Sequence, residues 1–262
     1  MSAHRERESG MTFKTDGIVI REGATGEQDR IVTVLTRDRG IIKAFANGAR
    51  NPKNKNVSST GLLCYSDFLI NKTQKGVYVI REAVAKEVFF SLRSDIVRLS
   101  LAQYFAELTY ELSPREEDSA EYLSLILNSV YLLSQNKRSP HLIKAVLEMR
   151  LLSMAGYMPG VVGCRSCGTF ETETMFFSTV TGELFCEECR PAERTVPVPL
   201  GVVTAMRHIC FAEGSKVFNF TLPDESLALL SDVSEKYLRS IVIVPPKAPA
   251  WSVALRFMSE KS

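Results

Sequence analysis

Four cysteines in this 262-residue chain are spaced to hold a metal ion. Cys164 and Cys167 form one C-x-x-C pair, Cys186 and Cys189 form another, and 18 residues separate the two pairs. Two intervening residues make a tight backbone knuckle that aims both thiolates at one ion about 2.3 Å away, and two knuckles complete a tetrahedron. The expected occupant is a structural zinc ion. Four protein ligands leave no position for water or substrate, which argues against a catalytic metal. A redox reading of C-x-x-C needs a strand–helix setting of the βαβ kind, and no such pattern surrounds these pairs. Cys64 and Cys210 lie among apolar residues and read as buried, inert thiols.

Little else in the chain is arranged for covalent chemistry. There are three histidines: His4 in the polar N-terminal tail, His141 at a helix start and His208 in an apolar helix. No P-loop, dinucleotide-binding glycine fingerprint or nucleophile elbow is present. Acidic pairs such as Glu116-Glu117 and Glu187-Glu188 are adjacent, so on a helix their side chains point apart. The chain reads as a non-enzyme.

Binding chemistry is better represented. Residues 11–80 hold eleven Lys and Arg against six Asp and Glu, a net of +5; the whole chain carries +2, so the remainder carries −3. The density peaks across Arg37, Arg39, Lys43, Arg50, Lys53 and Lys55, opposed only by Asp38. Such a local basic surface suits phosphate contact, and these six residues are the expected nucleic-acid-binding set. Phe45, Tyr65, Phe68 and Tyr78 are candidate stacking rings, with a place in the core as the competing reading. The cysteine segment, residues 164–194, carries three arginines against six glutamates, which fits a structural staple better than a phosphate-binding finger.

Two kinds of element must position these groups. Residues 17–21, 31–36, 40–46, 62–70 and 77–80 are rich in β-branched and aromatic residues, and Gly, Asp, Asn or Pro punctuate them. Five short strands in about 70 residues predict a small barrel of the OB kind. Beyond residue 83 the apolar period becomes helical. Helices are predicted over 94–112 (ended by Pro114), from Asp118 as N-cap, from Ser139-Pro140 to Gly156 and nearly apolar all round, over 201–212, and over 224–243 with Asp224 as cap. The expected organisation is a polar tail (1–10, with Met11 a second candidate start), a barrel (11–83), a helical domain in two parts (84–163 and 195–245) with the cysteine module (164–194) between them, and a proline-rich tail (246–262). That module is expected to be a hairpin turning at Thr181-Gly182, with almost no core of its own without metal. The fold class is therefore α+β and multidomain. Neither a secretory signal nor an apolar run of about 20 residues is seen, so a reducing, cytoplasmic setting is expected, and nucleoid association with it.

Several stretches resemble the RecO family of DNA repair proteins. Residues 17–21 (GIVIR), 26–36 (GEQDRIVTVLT), 39–42 (RGII) and 48–50 (GAR) resemble its N-terminal domain. Residues 148–152 (EMRLL), 156–159 (GYMP), 164–168 (CRSCG) and 182–189 (GELFCEEC) resemble the two ends of its zinc module. The resemblance covers about residues 11–245. It implies an OB barrel, a helical domain with a zinc module, and a recombination mediator that binds single- and double-stranded DNA, anneals strands, and loads recombinase with RecR onto strands coated by single-strand-binding protein. From charge and spacing alone, an RNA-binding OB protein and a protein–protein adaptor with a structural zinc module stay open.

Overall fold

A computed structural model describes residues 10–192 and 195–242. The expected tails lie outside these residues, Gly10 apart. The described residues form two compact units: one holds those up to Phe90 together with Ser113–Leu123, the other holds Ser91–Leu112 and those from Ser124 onward.

The first unit is a closed five-stranded barrel built from β1 (Met11–Thr25), β2 (Asp29–Thr36), β3 (Ile41–Ala46), β4 (Tyr65–Lys72) and β5 (Tyr78–Glu87). Its strand order is β1-β2-β3-β5-β4, the OB arrangement predicted from the sequence. Two strands run well past their predicted edges. β1 has 15 residues because it pairs with both β4 and β2, and the two ladders meet at Gly17. A Cβ there would lie 2.5 Å from the Leu35 carbonyl oxygen and 2.7 Å from a Val34 methyl, so only glycine fits the crossover. A bulge between Val19 and Arg21 bends the strand just beyond it. β5 continues to Glu87 because it stays paired with β4.

The alternation of β4 behaves as the sequence suggests. Phe68 and Ile70 point into a core shared with Val19, Val32, Val34, Ile42, Ala44 and Ile80, while Asp67 is exposed. Leu62–Cys64, predicted as strand, is instead a turn with Leu63 at φ 63°. A single-turn helix, α1 (Asn56–Ser59), joins β3 to β4, and buried Asn56 accepts the Ala83 N–H at 3.2 Å. The segment after Pro114 returns to the barrel: Pro114 accepts from Ile41 N–H at 3.0 Å, and the Ser119 hydroxyl donates to the Thr36 carbonyl.

The second unit packs α2 (Ile96–Leu112), most of α3 (Ala120–Gln135), α4 (Pro140–Met154), α5 (Leu200–Phe211) and α6 (Asp224–Ile241). Asp95 caps α2, accepting from the N–H groups of Val97 and Arg98, and Asp118 accepts from Ala120 at the start of α3. Asp224 is the first residue of α6 rather than its cap; Pro223 holds that position.

Helix α4 is buried along nearly its whole length, as its apolar circumference predicts, yet its interior also takes in Lys144 and Glu148. The Lys144 ammonium reaches Glu148 at 2.9 Å, Glu235 at 3.2 Å and the Ser231 carbonyl at 3.1 Å. Glu148 also accepts from the Tyr104 and Ser234 hydroxyls. Burial is the main influence on the Glu148 carboxyl and pushes its pKa up, with Lys144 opposing. Three helices, α2, α4 and α6, are thereby tied by one polar network inside an apolar interior.

The cysteine segment is more than a hairpin. β6 (Gly160–Cys164), β7 (Thr174–Ser178), β8 (Glu183–Phe185) and β9 (Thr195–Pro199) form a sheet in the order β6-β8-β7-β9. β7 and β8 are the predicted hairpin, with Gly182 at φ 72° in its turn. The segment is buried against the helical unit. Val161, Met175, Phe177, Leu184 and Val198 are all fully buried, α5 packs on β6, β7 and β9, and Phe177 meets Tyr237 of α6 edge-on. This sheet belongs to the helical unit's own core.

Candidate metal centre and nucleic-acid surface

The first knuckle follows β6. Cys164 N–H donates to the Thr169 carbonyl at 2.8 Å, and Gly168 N–H donates to the Cys164 carbonyl at 2.9 Å. Gly168, at φ 77°, makes the turn that closes it. The second knuckle follows β8, with Cys189 N–H donating to the Cys186 carbonyl at 3.2 Å. The two are tied together through β8: Arg165 donates its N–H to the Leu184 carbonyl at 2.8 Å and pairs its guanidinium with Glu183 at 3.0 Å.

This brings all four sulfurs within 4.8 Å of one another, with Cys167 and Cys186 at 3.6 Å. A tetrahedron with ligands about 2.3 Å from its centre has edges of about 3.8 Å, so the cluster could hold one metal ion with four thiolates. Cys164 and Cys186 are buried, Cys189 is half-buried and Cys167 is exposed. Burial opposes the Cys164 thiolate, but the N–H groups of Cys167, Cys186 and Ser166 together outweigh it and bring its pKa down to about 6. The Thr169 hydroxyl lies 3.1 Å from the Cys167 sulfur.

The six basic residues singled out in the sequence do not form one surface of free cations. Arg37 lays both arms of its fork on Asp16, at 2.8 and 2.6 Å, and reaches the Tyr65 hydroxyl. The Arg37 hydrogen bonds, the largest influence on Asp16, help bring its pKa down to about 2. The Arg39 guanidinium sits 4.1 Å over the Phe13 ring, with Asp38 at 3.6 Å. Lys55 pairs with Glu82. The remaining three are less committed. Among the described residues, Arg50 touches only backbone, at Glu27 and Gln28. Lys43 and Lys53 are exposed and form no ion pair among the described residues.

Lys43 stands midway along β3, between the core residues Ile42 and Ala44, so it points outward. Directly across β2 from it is Thr33, and across β1 from Thr33 is Arg21. Facing residues of an antiparallel ladder share a side of the sheet, so Arg21 and Lys43 flank Thr33 about 10 Å apart, two strand spacings. Sequence reasoning missed Arg21, because the bulge in β1 sets which of its residues share a row with Lys43. The next outward row is Gly23, Ile31 and Phe45. A Cβ on Gly23 would meet nothing within 4 Å, so this row is open on one side.

Of the four candidate rings, Phe68 is core. Tyr65 is bonded to Asp16 beneath Lys86, and Tyr78 packs edge-on to Phe13 beneath Lys72. Phe45 alone lies half-buried on the outward row beside Lys43. At one end of this face, the β1–β2 turn at 26–28 is tied to the 48–54 loop: Arg50 N–H donates to the Gln28 carbonyl and Gly48 N–H to Asp29.

Comparison with known proteins bears on both regions. Residues 11–89 match the family described as Recombination protein O N terminal, and residues 93–248 match Recombination protein O C terminal. A protein named DNA repair protein RecO from Acetivibrio thermocellus is 36% identical over 228 residues, covering 87% of this chain and 90% of the relative. Another of that name from Dehalococcoides mccartyi is 30% identical over 245 residues, covering 93% and 96%. One from Desulforudis audaxviator is 31% identical over 178 residues, covering 68% and 70%. The chain belongs to the RecO family of DNA repair proteins.

Proposed function

We propose that the chain is a non-enzymatic DNA-binding mediator of recombinational repair, and that the outward face of β1, β2 and β3 carries the strand. Lys43, exposed on the outward side of β3 beside the half-buried Phe45 and without an ion pair among the described residues, is the observation that supports this reading most. It lies on the strands that OB barrels use for oligonucleotides. Arg50 and Lys53 extend the positive charge along the neighbouring loop. Contacts from cations to phosphates release counterions and leave base edges free, so a second strand can pair with the first. Annealing follows from that separation of tasks. RecR and single-strand-binding protein are the proposed protein partners, on the strength of family membership alone.

Within this reading, Arg37, Arg39 and Lys55 support the barrel more than they hold DNA, since their charges are already met by acids or a ring. The four cysteines are read as a structural zinc site. The four thiolates fill a tetrahedron and leave no open position for chemistry.

Two experiments test this. Annealing of complementary strands, followed by fluorescence quenching, should be accelerated by the wild-type protein and slowed in an Arg21→Ala/Lys43→Ala variant. Equal acceleration by both proteins would remove the strand from this face. Metal analysis of the purified protein should find about one zinc per chain, lost in Cys164→Ser/Cys167→Ser.

A further inference from the structure

The first knuckle hangs between two strands of backbone that enter and leave it close together. Gly163 on the entering side is so near the returning chain that a Cβ would lie 3.1 Å from the Thr169 carbonyl oxygen and 3.2 Å from that of Gly168. One side chain from outside the module bridges this neck. Arg207 of α5 donates Nε to the Val161 carbonyl at 2.8 Å, and Nη2 to the Val162 carbonyl at 2.9 Å and the Phe170 carbonyl at 2.6 Å. Its Nη1 pairs with Glu171 at 2.9 Å, and the guanidinium lies 4.0 Å from the centre of the Phe170 ring. Val161 and Val162 lead into Cys164, while Phe170 and Glu171 follow Cys167. A single planar fork therefore joins both ends of the knuckle to a helix in the core of the unit.

We infer that Arg207 is a positioning residue for the metal centre: it fixes the neck of the first knuckle so that Cys164 and Cys167 are held in register with Cys186 and Cys189. The second knuckle has no comparable clamp from a helix among the described residues; it is aligned through β8 and Arg165. The geometry of the metal site is thus set from α5 through Arg207, and from there through Arg165 to the second pair. A lysine cannot replace it. Lysine carries a point charge on a flexible stem and cannot bond the carbonyls on both sides of the neck in one plane. Groups that orient metal ligands without touching the metal are commonly worth tenfold or more in affinity.

This inference rests on reading the four cysteines as a metal site, and the test separates the two. Cobalt(II) is titrated into the metal-stripped full-length protein under reducing conditions, against a competing chelator, and the thiolate charge-transfer and tetrahedral d–d bands are recorded. Wild type, Arg207→Lys, Arg207→Ala and Glu171→Gln are compared, with helical circular dichroism as a check on the fold. The expected result is a four-thiolate spectrum in every variant at saturation, with affinity about tenfold weaker in Arg207→Ala and Arg207→Lys. Glu171→Gln, which leaves the carbonyl clamp intact, should stay within about twofold of wild type on the same scale. Wild-type affinity in Arg207→Lys overturns the inference, whether or not Arg207→Ala folds. A wild-type protein that gives no four-thiolate spectrum overturns the metal reading, and the inference with it.

Discussion

Replacing Lys144 with methionine tests how the helical unit is held together. The Lys144 side chain is 1% exposed and its partner Glu148 is 0% exposed. Methionine keeps most of the buried stem but removes the ammonium, leaving Glu148 with only the Tyr104 and Ser234 hydroxyls. Removing one partner of a buried ion pair costs about 3–5 kcal/mol, because the other charge stays desolvated. With a urea dependence of about 2.5 kcal/mol per molar, the midpoint of helical unfolding should fall by about 1–2 M. Adding Glu148→Gln should recover much of the loss, since both charges are then gone, the amide oxygen still accepts from Tyr104 and Ser234, and Glu235 keeps Arg239 at 2.7 Å. The pH dependence has a fixed sign. Burial already raises the Glu148 pKa, and losing Lys144 raises it further, so the folded variant binds a proton that the unfolded chain releases. The deficit is full at high pH and shrinks as pH falls through the folded value. A midpoint shift below about 0.3 M, or a double variant no better than the single one, would refute the account of this network.

Two other changes have clear expectations. Arg37→Ala should release Asp16 from its pKa of about 2 and return it toward the ordinary carboxylate range. The stability Asp16 contributes is present above its unfolded pKa of about 4 and is lost as pH falls toward 2, so wild type and variant should differ at pH 5–7 and converge near pH 2 in acid titrations followed by circular dichroism. The neutral-pH difference should be about 1 kcal/mol or less, since Arg37 is half exposed. Gly182→Ala puts a side chain at φ 72° and a Cβ 2.7 Å from the Tyr237 ring. It should destabilise the helical unit by about 1–3 kcal/mol in thermal melts, and a neutral result would mean that the β7–β8 turn yields freely.

Much of the architecture was legible because it rests on short-range periodicity. Alternation in β4 sorted Phe68 and Ile70 from Asp67, and the helical period marked α2, closed by Pro114, and α4, opened by Pro140. The cysteine pairs were equally plain, since knuckle spacing is local. What the sequence hid is long-range. β6 and β9 are rich in glycine and proline and do not read as strands, yet pairing with the hairpin and packing on α5 make them so. Lys144 and Glu148 give no sequence signal of pairing across helices, because their partners Tyr104, Ser234 and Glu235 lie on other helices. The basic cluster was visible as a charge density, but not its neutralisation: Asp16 is 21 residues from Arg37, and Glu82 is 27 from Lys55. Arg207 carried no signal as a clamp, because three of its four acceptors are backbone carbonyls.

Under the proposed function, DNA is held by the outward face of β1–β3 and the adjoining loop, rather than by the basic cluster as a whole. The most direct measurement is titration of a fluorescent single strand at several salt concentrations. Wild type is compared with an Arg21/Lys43/Arg50/Lys53→Ala variant and with an Arg37/Lys55→Ala variant. Removing one cation that neutralises a phosphate should make the slope of log affinity against log salt shallower by about 0.7. The four-residue variant should therefore lose about two to three units of slope and most of its low-salt affinity, while the Arg37/Lys55 variant stays near wild type. Equal losses in both variants, or none in the first, would contradict the assignment of this face.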